Sequence, residues 1–451
     1  MSLANPSASM AALPCSHAFL SQASVILRSY PTQPEVPPFF GWRMVVLACL
    51  CVNIGAGFAF GTYSTFMSSM IREFSASRTL ASAGLSVMVA TMGLLGPVVG
   101  YTLRRWSIRA TLGAGFILMS MGWGLISIAA SAWQFTLSFG LLCGAASACL
   151  IVVPPMTLVN NWFIAKRGRA SGVAMAMFTL MVLPPVVAAS ITAYGWRATA
   201  LIISIICLLL TPLTIWVIDR PESVGQKPLG AGGPSESVLP ATPSESTEAG
   251  APMREPVFWV LMFCTGIFGG AAVAFMAHFI PFALEAGLTL KSASVLFSIL
   301  GAAELAGGFA GGLVADRLGG ARTYALTSFI QAIAWPCLLL THQFWILALC
   351  VSLIGLCANS SVTVATTLFA NFFGRAHFAR VIGMFSLIST PFNFALPLLS
   401  GAVYDLSGSY RSVFVLNAAL FVLLGTTFAL AHRIEVSRRG ASPKVVLVAR
   451  C

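Results

Sequence analysis

"LFSILGAAELAGGFAGGLVADRLGG", from Leu296 to Gly320, is apolar and rich in alanine and glycine until it ends on Asp316 and Arg317, yet it holds one acidic residue, Glu304, in its interior. About 20 apolar residues in a helix cross the roughly 30 Å hydrocarbon core of a bilayer. At about 1.5 Å per residue, Glu304 lies about 18 Å from Asp316, near the middle of that layer. Similar runs recur along the chain at 44–70, 79–102, 110–130, 133–158, 170–192, 198–218, 257–284, 292–315, 323–341, 344–370, 381–403 and 412–432. They lack the polar alternation of barrel strands, so helices are the spanning form. The expected fold is an all-α membrane protein with twelve transmembrane helices, numbered here as spans one to twelve.

Composition points the same way. Of 451 residues, 58% are hydrophobic and 8% charged, with a mean hydropathy of +0.89, far from the usual composition of a soluble domain. A formal charge of +12 would suit a nucleic-acid partner, but its placement argues otherwise. With the N-terminus inside, the outer segments keep only Arg72, Arg78, Arg197, Lys291 and Arg411 of the 25 Lys and Arg. That bias places both termini in the cytoplasm of a multi-pass protein of the cell (inner) membrane. The charge is therefore read as topology, with the lipid bilayer and not nucleic acid as the partner. The eleven cysteines show no metal-ligand spacing, and Cys143, Cys207 and Cys350 fall inside predicted spans, where a thiol acts as a small apolar group. No metal or cofactor is expected. Residues 1–40 lack the cationic start and apolar core of a signal peptide and read as a disordered cytoplasmic tail.

Between spans six and seven, 219–256 is rich in Gly, Pro, Ser and Glu and reads as a flexible cytoplasmic linker. It divides the chain into six-helix bundles at 41–218 and 257–432, followed by a cytoplasmic tail at 433–451. The halves are similar at a nearly constant offset. "GYTLRRWSIR", with Gly100, Arg105 and Arg109, answers "GGLVADRLGGAR", with Gly312, Asp316, Arg317 and Gly319. "NWFIAKRG" from Asn161 answers "NFFGRAHF" from Asn371, and "YGWR" at Tyr194 answers "GSYR" at Gly408. Parallel halves of this kind place a substrate site near the midplane between them.

These motifs carry a family resemblance over nearly all of 41–432. Gly312, Asp316, Arg317 and Gly319 match the G-x-x-x-D-R-x-G loop signature of the major facilitator superfamily, which implies the major facilitator fold. The first copy departs from it at Arg104 and Ser107. In that family the acidic residue helps latch the cytoplasmic loops, so the resemblance implies loop gating by Gly100, Arg105, Arg109, Gly312, Asp316, Arg317 and Gly319. Within the superfamily the chain resembles the monocarboxylate-porter branch, including its bacterial members and the oxalate/formate exchangers. "WFIAKRGRASGVAMAM" is similar to that branch's loop into span five, although Met177 stands where a glycine is usual. "AHFIPFALEAG", with His278, Pro281 and Gly287, is similar to its span-seven segment. Glu304 falls where those porters have an aspartate, but Gly308 replaces the arginine one turn later, and Thr62 or Tyr63 stands for their span-one lysine.

Glu304 is the only Asp or Glu inside a predicted span. An ionised side chain there costs roughly 2.5–3.5 kcal/mol on insertion scales, so it should face a cavity or a partner. Removal from water disfavours the charged form, which suits a group that gains and loses a proton as access alternates. The alternative is a permanently protonated acid bonded to a neighbouring helix. His278 is the second proton-coupling candidate, or a neutral histidine bonded to a neighbour. Pro281 beside it clashes with the carbonyl of Met276 or Ala277 and frees polar backbone. Asn53, Tyr63, Asn359 and Asn393 sit at depths suited to substrate binding, or else serve as interhelical hydrogen bonds. Gly308 and Gly312, at i+4 and i+8 from Glu304, read as helix-packing positions.

The expectation is a monomeric secondary transporter working by alternating access, carrying a small organic anion such as a monocarboxylate together with a proton. The missing midplane cations favour a rival, a proton-driven exporter of apolar or cationic compounds. A receptor or scaffold would need a signalling domain that the linker and tails do not show. No nucleophile, base and oxyanion arrangement marks an enzyme.

Overall fold

The computed structural model describes residues 39–103, 105–230 and 252–441. The expected N-terminal tail apart from its last two residues, Arg104, the centre of the linker and 442–451 lie outside the described residues. Among the described residues, ten helices are long and apolar enough to cross a membrane. Span one is Gly41–Phe74, two Arg78–Thr102, three Ile108–Ser127, four Ala132–Trp162, seven Pro256–Glu285, eight Leu290–Leu318, ten Phe344–Ser361, eleven Gly383–Ser407 and twelve Tyr410–Ile434. Spans five and six share Arg167–Trp216, interrupted at Gly195, whose φ of 82° is closed to a right-handed helix. Span nine is the less apolar helix Gly320–Cys337, and Thr363–Phe373 prolongs span ten.

The repeat is legible in detail. Gly408, with a φ of 70°, turns the chain into span twelve as Gly195 turns it into span six. Ser77 and Thr289, 212 residues apart, each N-cap the second helix of their half by accepting from an amide three residues on. Glu73 and Glu285, also 212 apart, end the first helix of each half and bond to the last or next-to-last: Glu73 to Trp196 and Arg197, Glu285 to Tyr404. Each half has its own aromatic core, with Tyr63, Phe66, Trp123, Phe135 and Phe139 in the first and Phe268, Phe279, Trp335, Phe414 and Phe421 in the second.

Lipid is as apolar as leucine, so helices in a membrane associate through close packing and hydrogen bonds. Span eight meets span ten along Gly307 and Gly311, where a Cβ would lie 2.2 Å from the Leu356 carbonyl oxygen and 2.4 Å from Ser360 Cβ. The expected packing positions, Gly308 and Gly312, are one residue off this contact. Gly308 faces the Asn359 amide, and Gly312 has nothing within 4 Å. Both pairs share the four-residue spacing, and only the neighbour's position decides which is used.

The start of the expected linker is folded. Leu229 pairs with the loop after span four, accepting from Ile164 N at 3.0 Å and Ala165 N at 2.8 Å and donating to Trp162 O at 2.9 Å. Asn161 Nδ2 donates to Asp219 O at 2.9 Å, and Trp162 Nε1 donates to Ile218 O at 2.9 Å. That loop offers unpaired backbone and an indole N–H, and the residues after span six satisfy them.

Gly307→Ala is expected to destabilise the protein by about 1–3 kcal/mol, because the new methyl meets backbone that cannot yield. Gly312→Ala should leave the melting temperature unchanged. Thermal unfolding of both purified proteins, followed by tryptophan fluorescence, checks the contrast.

Candidate functional site

Spans two and eleven, one from each half, lie against each other and then part. At the far end, away from Gly41, a Cβ on Gly401 would lie 2.7–2.8 Å from the backbone of Arg78 and Thr79. In the middle, one on Gly93 would lie 2.7 Å from Thr390 Oγ1. Toward the near end, Gly96 and Gly383 have nothing within 4 Å. A crevice of about 370 Å³ fills this divergence, with Met92, Gly96, Pro97, Ser147, Val153, Ser386, Ser389, Thr390 and Asn393 in its wall. Its span-four wall is shaped by Pro154 and Pro155. Their missing N–H groups and ring clashes prevent a regular turn, and the helix widens to a π turn over Ala148–Val152.

Glu304 lies halfway along span eight and is 9% exposed. Gly301, one turn earlier, sits against the backbone of Leu180 and Met181 in span five, while Gly307 and Gly311 sit against span ten. At about 100° per residue, Glu304 falls between these two contacts, within about 60° of Gly301 and Gly308. Its side chain is therefore held in the angle between span five of one half and span ten of the other. Its carboxyl has no hydrogen bond or ion pair among the described residues. Asn359 Nδ2 donates at 2.9 Å to the Glu304 carbonyl, which belongs to the backbone.

The other candidates divide into committed and free. His278 is fully engaged. Nε2 donates to Pro397 O at 3.0 Å, and Nδ1 shares a hydrogen bond with the Tyr410 hydroxyl at 3.3 Å. It packs among Phe275, Phe279, Trp335 and Phe414, apart from the crevice. Tyr63 is fully buried, and its hydroxyl donates to Ala81 O within its own half. Asn53 repairs a break in span five, where the helix stops at Ala174 and resumes at Thr179. Its Nδ2 donates to Ala176 O at 2.8 Å, and its Oδ1 accepts from Thr179 N at 3.0 Å. Asn393 is different, since its Oδ1 is buried without a hydrogen bond and the residue lines the crevice. Of the four polar residues picked as substrate ligands, the structure places Asn393 in the crevice wall and spends Asn53, Tyr63 and Asn359 on helix contacts.

The near-end loop motifs also differ from each other. Ser107, standing at the motif's second glycine, N-caps span three by accepting from Ala110 N at 3.1 Å. Gly319 has a φ of 84°, which explains why only the second copy needs glycine there. A Cβ on Gly100 would touch only Val153, and the Arg105 guanidinium lies 5.8 Å from the Tyr101 ring centroid. Arg109 N donates to Asp219 Oδ1 at 3.1 Å. Asp316 and Arg317 are exposed and carry no ion pair among the described residues. Sequence reasoning missed Ser386, Ser389 and Thr390, whose hydroxyls look like ordinary helix-compatible polarity, and Asp405, discussed below.

Membrane-crossing helices in two repeated halves, parted by a crevice, mark a membrane transport protein. The sequence agrees: 49–334 and 292–447 match the family model of the Major Facilitator Superfamily, and the chain belongs to that superfamily. It is 23% identical over 437 residues to human "Monocarboxylate transporter 2", covering 91% of this chain and 90% of that one. It is 25% identical over 409 residues to mouse "Monocarboxylate transporter 12", covering 84% and 83%. Among solved structures it is similar to a bacterial homolog of the human lysosomal transporter Spinster in an inward-facing, occupied conformation. That likeness has a TM-score of 0.66 at 15% identity, covering 88% of this chain and 97% of the other. The protein is thus a major facilitator transporter resembling the monocarboxylate branch.

Asn53→Ala should lower the melting temperature by several degrees, because it orphans buried backbone at the span-five break at about 1–3 kcal/mol per group. Asn393→Ala breaks no hydrogen bond among the described residues and should melt as the parent does. Parallel thermal scans read the difference.

Proposed function

We propose that the protein is a proton-coupled carrier of a small organic anion, such as a monocarboxylate. It works as a single chain by alternating access in the cell membrane, with both termini in the cytoplasm. The observation that carries this reading is Glu304: a carboxyl at mid-membrane depth, 9% exposed, held between the two halves and without a hydrogen bond or ion pair among the described residues. An acid in that position can exchange its proton with whichever side the cavity faces, and the movement of the halves changes that side. The relatives named for monocarboxylate transport support the cargo.

The crevice offers hydroxyls and one amide but no cation. A carboxylate bound there draws its compensation from hydrogen-bond donors. Asn393 offers its amide to the substrate and the Ser147, Ser389 and Thr390 hydroxyls, which donate to their own helix backbone, add polarity to the wall, while Glu304, outside that wall on the span-five side, carries the proton. Substrate and proton then bind and leave together, because an ionised Glu304 would repel the anion. The lack of a fixed cation also keeps a second reading in view, export of apolar or cationic compounds with ionised Glu304 as the counter-charge. Growth of a deletion strain against a panel of carboxylates and toxic cations separates the two cargoes.

In proteoliposomes with an imposed pH gradient, the wild type should concentrate its carboxylate. Glu304→Gln should lose that accumulation while retaining exchange of labelled for unlabelled substrate. Equal gradient-driven accumulation by both would remove Glu304 from the coupling. Asn393→Ala should raise KM about tenfold with little change in the maximal rate, the signature of lost binding.

A further inference from the structure

Asp405 ends span eleven and belongs to the second half, yet its carboxylate closes the first turn of span two. Arg78 N donates to Oδ1 at 2.8 Å, Thr79 N to Oδ2 at 2.9 Å and Thr79 Oγ1 to Oδ2 at 2.6 Å. Ser77, the local cap, accepts only from Leu80 N at 3.2 Å. The first amides of a helix have no partner within it and carry the positive end of its dipole, so a carboxylate is the group they hold best. The Arg78 side chain adds a second grip, its guanidinium 4.9 Å from the Tyr404 ring centroid and 5.7 Å from that of Tyr410. Those rings are held from behind, Tyr410 by His278 and Tyr404 by the Glu285 carboxylate. Nearby, Ser64 of span one donates to Ala277 O at 2.8 Å, the carbonyl that Pro281 leaves without its helical N–H, and accepts from Ile280 N at 3.2 Å.

The same carboxylate device occurs at the near end inside one half. Asp219 accepts from Ile108 N at 2.8 Å and Arg109 N at 3.1 Å, beside the local cap Ser107. That cap joins spans three and six of the first bundle and survives any rigid movement of the halves. The Asp405 cap joins the two bundles and does not. Nor is it a by-product of the repeat, because Thr192, the residue 213 positions before Asp405, donates to Ala188 O of its own helix.

We propose that the cap of span two by Asp405 is a releasable latch that holds the far end shut. The latch rests on the alternating-access reading above. Opening the far end hands the Arg78 and Thr79 amides to water and lifts Arg78 off its two rings. Asp405 thereby sets the balance between the two access states without touching substrate.

The test uses the full chain in lipid nanodiscs, with Ser68→Cys as reporter. Ser68 is buried one turn from Ser64 on the face of span one that meets span seven. Its rate of modification by a polar maleimide, corrected for the parent's own cysteines, reads far-end opening. Adding Asp405→Ala should raise that rate roughly five- to tenfold, and Asp405→Asn, which keeps an acceptor oxygen but no charge, should fall between. Asp219→Ala should lower the melting temperature yet leave the labelling rate alone. An unchanged rate in Asp405→Ala, or an equal rise in Asp219→Ala, would overturn the latch. Should Asp405→Ala fail to fold, Thr79→Val removes one donor of the cap, and its labelling must rise as well for the latch to stand. The readout needs neither substrate nor proton gradient, so it stays decisive even where carboxylate transport is not found.

Discussion

Inside a hydrocarbon layer a backbone N–H or C=O has no water to fall back on, so every departure from regular helix must be mended by a side chain or another helix. This protein departs often, and its buried polar residues follow the departures. Asn53 mends the break in span five. Ser64 takes up the Ala277 carbonyl freed by Pro281. Both repairs reach across to another helix, so the same bonds that satisfy the backbone also set where helices touch.

Acidic residues obey a related rule. Glu73, Glu285 and Asp405 sit at helix ends, Asp219 in the loop after span six, and all four have donors. Glu304 sits mid-helix, and its carboxyl has no protein donor among the described residues. The contrast separates structural carboxylates, whose charge is answered in the fold, from one left open to a proton or a ligand. Asp405 stands between the two classes, since its donors come from the other half and hold only while the far end is closed.

Much of the architecture was legible before any coordinates. The apolar runs fall on the helices, including the break at Gly195 and the modest span nine, because hydropathy and helical rise act locally along the chain, although spans ten and eleven lie in one continuous helix, Phe344–Ser407. The superfamily and its monocarboxylate branch were legible from loop motifs that form sharp turns, as Gly319 does with its positive φ. Residue roles were less so. Tyr63 and Asn53 look like ligands in a list of intramembrane polar groups, and the structure uses them to bond backbone. The first residues after span six read as flexible from their composition, yet they cap span three and pair with the loop after span four.

The sequence by itself determined how many times the chain crosses the membrane, where each helix turns, that the halves repeat and how deep Glu304 lies. Only the tertiary structure decided which polar groups are spent and which are free. It also chose Gly307 and Gly311 over Gly308 and Gly312 as the contact with span ten, and brought Asp405 to Arg78 across 327 residues. The physical reason is that lipid and apolar side chains solvate a helix almost equally. Its sequence therefore carries little hydrophobic signal for which face meets protein, and partners are fixed by shape and hydrogen bonding that appear only when the helices are assembled.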